Sequence, residues 1–160
     1  MVMIAGDQFD RLHSAAMWRI NFDHFTRPVG FTTCSELQAT AQTYRHSQGG
    51  DLIGEEFIGG FEFNDLTIEG GMYQDEQLAN WWDSICKVVQ QVGALPSTYK
   101  HNGELVLLNM DGTDGPKWDI IRGFIKEYKA AGGMDSNNKT APIMQSAVIG
   151  MRHWKYRGLA

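Results

Sequence analysis

The chain has 160 residues, 42% of them hydrophobic and 21% charged, with a net charge of -5 and a pI near 5.4. This composition excludes a disordered chain, and the length suits one domain, 1–160, that buries roughly two thirds of its unfolded surface. The acidic balance, with no run of Lys or Arg, argues against a dedicated nucleic-acid binder, and no apolar run approaches the ~18 residues of a membrane span.

Glycine is abundant at 18 and proline scarce at 4, a balance that suits short strands joined by tight turns. Residues 1–15 read as an N-terminal arm, with Asp7, Asp10, Arg11 and His13 and no signal-peptide core. The first strand signal is Met17 to Phe25, where Trp18, Ile20 and Phe22 alternate with Arg19, Asn21 and Asp23. A turn at Arg27-Pro28-Val29-Gly30 leads to a second strand, Phe31 to Leu37, and a third, Thr40 to His46, of low apolar content.

Ser47 to Gly60 reads as a long loop. It combines Gly49, Gly50, Gly54, Gly59 and Gly60 with Asp51, Glu55 and Glu56, and it carries Leu52, Ile53, Phe57 and Ile58. Four such apolar side chains either fold back on the core or bury against another molecule. With Arg45 at its start, this segment supplies the candidate interface residues Arg45, Gly49, Gly50, Asp51, Leu52, Ile53, Glu55, Glu56, Phe57 and Ile58.

Phe61 to Glu69 alternates again, and its slip at Asn64-Asp65 suggests a bulge. Glu76 to Val92 is the one convincing helix. Leu78, Trp81, Trp82, Ile85, Val88, Val89 and Val92 form its apolar stripe, with Asp75 as N-cap and Gly93 as stop. Glu104 to Asn109 and Lys117 to Phe124 read as a hairpin turned by Asp111-Gly112 and Asp114-Gly115, and Ile143 to Trp154 closes the chain. The candidate core is Trp18, Phe22, Trp81, Trp82, Ile85, Val89 and Trp118.

Chemistry is sparse in the sequence. No two of the five histidines are spaced for a helical metal site, and neither HExxH nor CxxC occurs, so no metal and no cofactor is expected. Asn109 to Gly115 lacks the Gly and Glu that a calcium-binding loop requires and reads as a hairpin turn. Adjacent Glu55 and Glu56 point to opposite faces in extended chain, the wrong arrangement for a glycosidase pair. Cys34 and Cys86 read as reduced, buried thiols of a chain made in a cytoplasm.

The order of these segments resembles the tail tube protein family of contractile phages, to which the tubes of type VI secretion and pyocins are related. The resemblance rests on Trp18-Arg-Ile-Asn-Phe-Asp, Pro28-Val-Gly-Phe31, Glu36-Leu37 and Tyr44-Arg45-His-Ser-Gln-Gly49-Gly50. It continues through Leu66-Thr-Ile-Glu-Gly70-Gly71, Leu78-Ala-Asn-Trp81-Trp82, Val106 to Gly112, Trp118, and a final strand after Ser136-Asn-Asn. It implies a mainly β fold with one flanking helix, an antiparallel barrel or sandwich. It implies a structural virion protein and no enzyme.

By the same resemblance, six copies close into rings that stack as the inner tail tube. The expected partners are copies of itself, the tail sheath protein, and the baseplate and tail-terminator proteins. The tape-measure protein and DNA pass through the lumen without specific binding, no membrane is involved, and the acidic charge opposes phosphate adhesion. The long segment before Ala15 fits the alternative of a baseplate-proximal tube initiator. A reading from a different class is a small-ligand-binding barrel with Trp18, Trp82 and Trp118 lining its pocket; an enzyme with a dispersed site is a third.

Overall fold

The computed structural model describes residues 17–26, 31–71, 76–90, 96, 99–140 and 143–158, with Gly71 and Val89 described by backbone alone. The expected arm at 1–15, the turn at 27–30, the Asp75 cap, Val92 and the Gly93 stop lie outside these residues, as does the Val89 side chain. The elements run β1 (Trp18–Phe22), β2 (Thr33–Cys34), β3 (Ala39–His46), β4 (Glu55–Phe63), β5 (Leu66–Gly71), α1 (Gln77–Gln90), β6 (His101–Leu108), β7 (Asp114–Lys129), β8 (Met144–Gly150) and β9 (His153–Gly158). The mainly β architecture with a single flanking helix is therefore the one observed.

All described pairings are antiparallel. Seven strands join in the order β1-β6-β7-β8-β5-β2, with β9 also on β7, while β3 and β4 pair only with each other. The first half of β7 pairs with β6 and β9, and its second half with β8. The hinge between the halves is a bulge at Arg122, whose φ is 53°. Its N–H, lost to the ladder, donates to Asn102 Oδ1 at 3.0 Å. A bulge of this kind lets one strand turn a corner between two packed layers.

The core lies between these layers and α1. Ile20 and Phe22 from β1, Leu66 and Ile68 from β5, Ile120 and Ile125 from β7, and Ala147 and Ile149 from β8 are all buried. The β1, β5 and β8 pairs alternate along their strands, as the pleat requires, whereas Ile120 and Ile125, five residues apart, face one core because the bulge at Arg122 lies between them. From the helix, Leu78 and Trp81 enter the same cluster, and Trp82 and Ile85 pack against its edge half-buried. The Trp81 ring lies 4.8 Å from Phe22, and its Nε1 donates to the Tyr99 carbonyl at 3.0 Å. Trp18 packs half-buried against the core, and Trp118 pairs with Tyr156 at 5.6 Å.

Several expected boundaries shift. The second strand shrinks to a two-residue ladder, because Thr32 and Ser35 reach β5 through irregular bonds to Glu69 and Thr67 instead of continuous pairing. The slip at Asn64-Asp65 is not a bulge but the corner where β4 leaves its hairpin and β5 enters the main sheet. The closing strand divides at Met151-Arg152 into β8 and β9, which run along successive halves of β7. Asp111-Gly112 does make the β6–β7 turn, with Gly112 at φ 83°, whereas Asp114 and Gly115 already belong to β7. The Asp111 carboxylate accepts from Thr113 N at 3.0 Å and Oγ1 at 2.6 Å, which is local turn chemistry.

Candidate functional site

The β3–β4 hairpin stands apart from the main sheet. Every residue of β3 is exposed, and β4 is exposed at all positions but Gly60 and Phe63. The two strands run in register from Ala39↔Phe63 to His46↔Glu55, with a shift at Gln42/Thr43 where Gly59 and Gly60 accommodate an extra residue. Six of the fourteen residues expected as a loop are thus strand: Glu55 to Gly60 run along β3, and only Ser47 to Gly54 form the connection. The reason is that Glu55, Phe57 and Phe61 find cross-strand partners that sequence alone does not reveal.

The connection is tightly made. Asp51 N donates to the Gln48 carbonyl at 2.9 Å, Ile53 N donates to Asp51 Oδ1 at 3.0 Å, and Gly50 takes φ 90°. This turn leaves Leu52 100% and Ile53 82% exposed at the tip. Along the strands, Tyr44 and Phe57 stack with centroids 5.7 Å apart, and Ile58 and Phe61 stand 62% and 66% exposed. At the base, Phe63 packs against His153 and Trp154, and Asn64 N donates to the Gln38 carbonyl at 3.0 Å. The hairpin is therefore held at its root and carries exposed apolar side chains on both faces, Tyr44 and Phe57 on one and Ile58 and Phe61, opposite Thr43 and Ala41, on the other.

All ten candidate interface residues fall on this one hairpin: Arg45 on β3, Gly49 to Ile53 in the connection, and Glu55 to Ile58 on β4. Tyr44 and Phe61 are exposed on the same hairpin, on opposite faces, and escape a reading focused on the loop; the signal for Tyr44 was an aromatic residue within a strand of otherwise low apolar content. Polar side chains bind the two strands to each other: Thr43 Oγ1 donates to Glu56 Oε1, and Gln42 Nε2 donates to Glu62 Oε2 at 3.2 Å. Asp51 serves the turn itself.

A second concavity, about 340 Å³, opens between edge strand β1 and the segment after β2. Trp18, Leu37, Leu105, Trp118 and Trp154 line it, with Cys34 at its rim. Burial pushes the Cys34 thiol up to about 11. Of the three tryptophans considered for a ligand pocket, Trp18 and Trp118 meet here, while Trp82 packs near Tyr128 elsewhere. Both cysteines are free and half-buried.

The fold also unites groups that spacing did not connect. Asp23 and His24, just past β1, lie beside His101 at the start of β6. The β1–β6 pairing causes this: Phe22 opposes Gly103, and Asp23 N continues the ladder to the Asn102 carbonyl at 2.9 Å.

Among solved structures, a chain of a PVC sheath-tube complex, an extracellular contractile injection system in its extended state, aligns with a TM-score of 0.77 at 14% identity. That match covers 99% of each chain. A chain of the anti-feeding prophage baseplate gives 0.72 at 16% identity over 91% of this chain and 95% of the other. Hcp1 from Flavobacterium johnsoniae gives 0.56 at 12% identity over 89% and 95%. These likenesses establish a shared fold, whereas no curated protein sequence matches this chain. The family model described as T4-like virus tail tube protein gp19 matches residues 15–155, nearly the whole chain, and the protein belongs to that family.

Proposed function

We propose that the protein is the subunit of a hollow tube, closing with other copies into hexameric rings that stack as the inner tube of a contractile tail. The observation that carries this reading is the β3–β4 hairpin, which is ordered by its own ladder yet leaves Tyr44, Leu52, Ile53, Phe57, Ile58 and Phe61 exposed. Monomeric soluble proteins seldom expose so many large apolar side chains on one hairpin without a partner. The partner of closest fit is a second copy, because a hairpin cut off from its own sheet is completed by another chain's strands. Arg45, Glu55 and Glu56 set register in that contact, and the apolar side chains supply the affinity.

In this reading the tube is the conduit for DNA ejection from a virion assembled in the bacterial cytoplasm. Sheath, baseplate and terminator proteins are the neighbours of its outer wall and ends; the fold shared with chains from a sheath-tube complex and a baseplate supports those roles. Service as a tube initiator beside the baseplate is the narrower variant. Negative-stain microscopy and sedimentation of the purified chain test the proposal. Rings of six or stacked tubes are the expected result. A monomer or dimer at every concentration and salt overturns it and favours a ligand carrier.

A further inference from the structure

We propose that Asp23, His24 and His101 form a binding site for a divalent transition-metal ion such as Zn2+. Their donor atoms all lie within 4.8 Å of one another. Asp23 Oδ1 is 3.2 Å from His101 Nδ1 and 3.6 Å from His24 Nδ1. Two donors bound tetrahedrally at about 2.1 Å from one ion stand about 3.4 Å apart, so Asp23 lies at a ligating separation from each imidazole. The donor set, two imidazoles and one carboxylate, is the one that borderline ions prefer, with a water completing the coordination.

His24 itself points to an absent ligand. Both of its ring nitrogens are closed off from solvent, and neither has a hydrogen-bond partner. Buried polar atoms left in this state are costly and rare in folded proteins. The ring is stacked on His101 with centroids 3.9 Å apart and flanked by Phe25 and Trp81 at 4.6 and 4.5 Å, and an ion taking both imidazoles would splay this stack.

The supports are rigid. Asp23 is bound to β6 through both its N–H and its carboxylate, which accepts from Asn102 N at 3.4 Å. The site joins the end of β1, the start of β6 and, through Trp81, the helix. A bound ion would pin these three elements together. The site is separate from the hairpin, and its existence does not depend on tube formation.

Titration of the purified full-length chain with Co2+ at pH 7.5 tests the proposal. The expected result is a ligand-field absorption that saturates at one equivalent, is displaced by Zn2+ and accompanies a rise in melting temperature. His101→Ala and Asp23→Asn should each weaken binding at least about tenfold. Asp23→Asn alters a side chain that is more than half exposed and leaves the backbone bond to Asn102 in place, so it keeps the test valid if the histidine variant fails to fold. On the wild-type chain, Co2+ should broaden the imidazole NMR signals of His24 and His101 before those of His13, His46 and His153. Failure to saturate at one equivalent, unchanged affinity in Asp23→Asn, or broadening centred on other histidines each overturns the site.

Discussion

The ring of Phe22 lies directly over Gly103, its opposed partner on β6, so that a Cβ at position 103 would stand 2.6 Å from Phe22 Cδ1 and 2.8 Å from the Asn21 carbonyl. Phe22 is 1% exposed and in contact with Trp81, so its ring has nowhere to retreat. Gly103→Ala should destabilise the subunit by about 1–3 kcal/mol, the usual cost of overpacking. Urea unfolding checks this, and an unchanged midpoint would mean that the aromatic cluster relaxes freely.

The two adjacent tryptophans of α1 should respond unequally. Trp81 is 2% exposed and hydrogen-bonded, whereas Trp82 is half-buried against Tyr128. Trp81→Ala should cost about 3–5 kcal/mol and reduce soluble yield. Trp82→Ala should cost clearly less. Thermal melts of both variants decide the point; equal losses would show that the helix docks on a broader face.

Replacing Leu52 and Phe57 together by Ser should leave a folded subunit that no longer polymerises. Leu52 makes no burial in the subunit and Phe57 is 40% exposed, so the fold loses little. Each apolar side chain buried between copies contributes about 1.5–3 kcal/mol to assembly. Circular dichroism and electron microscopy on one sample read both effects. Normal tubes from the double variant would remove the hairpin's proposed role, and loss of fold would assign these residues to the subunit's own core.

Cys34 should make stability fall in alkali. Its thiol pKa is raised from 9.0 to about 11 by burial, so the folded state holds the proton more tightly than the unfolded chain. The contribution is intact below about pH 9 and is lost as pH rises towards 11. Cys34→Ala should flatten the decline over that window relative to wild type. The same shift predicts that Cys34 reacts with maleimide near pH 8 roughly tenfold or more slowly than a free thiol. Parallel curves for wild type and variant would contradict the burial argument.

Much of the fold was legible because strand and helix periods are local. The alternation of Trp18, Ile20 and Phe22 marked β1, and the stripe through Leu78, Trp81 and Ile85 marked α1. Residues 47–60 were legible as a segment with four large apolar side chains to place but not as a strand. Their glycines and acids signal a loop, and the ladder that overrides this signal depends on the Thr43, Tyr44 and Arg45 backbone across the hairpin. The exposed apolar segment was accordingly located while its shape was not.

The sequence by itself determined the kind and order of the elements, the acidic surface and the family, all of which depend on residues near one another in the chain or on their order along it. Only the tertiary structure decided that β7 bends at Arg122 to serve two layers, that β3 and β4 project together as one apolar hairpin, and that His24 comes to lie on His101. Each of these is a long-range pairing. Hydrogen-bonded register brings such residues together, and register is set by the burial of a whole sheet face, a quantity that no local pattern contains.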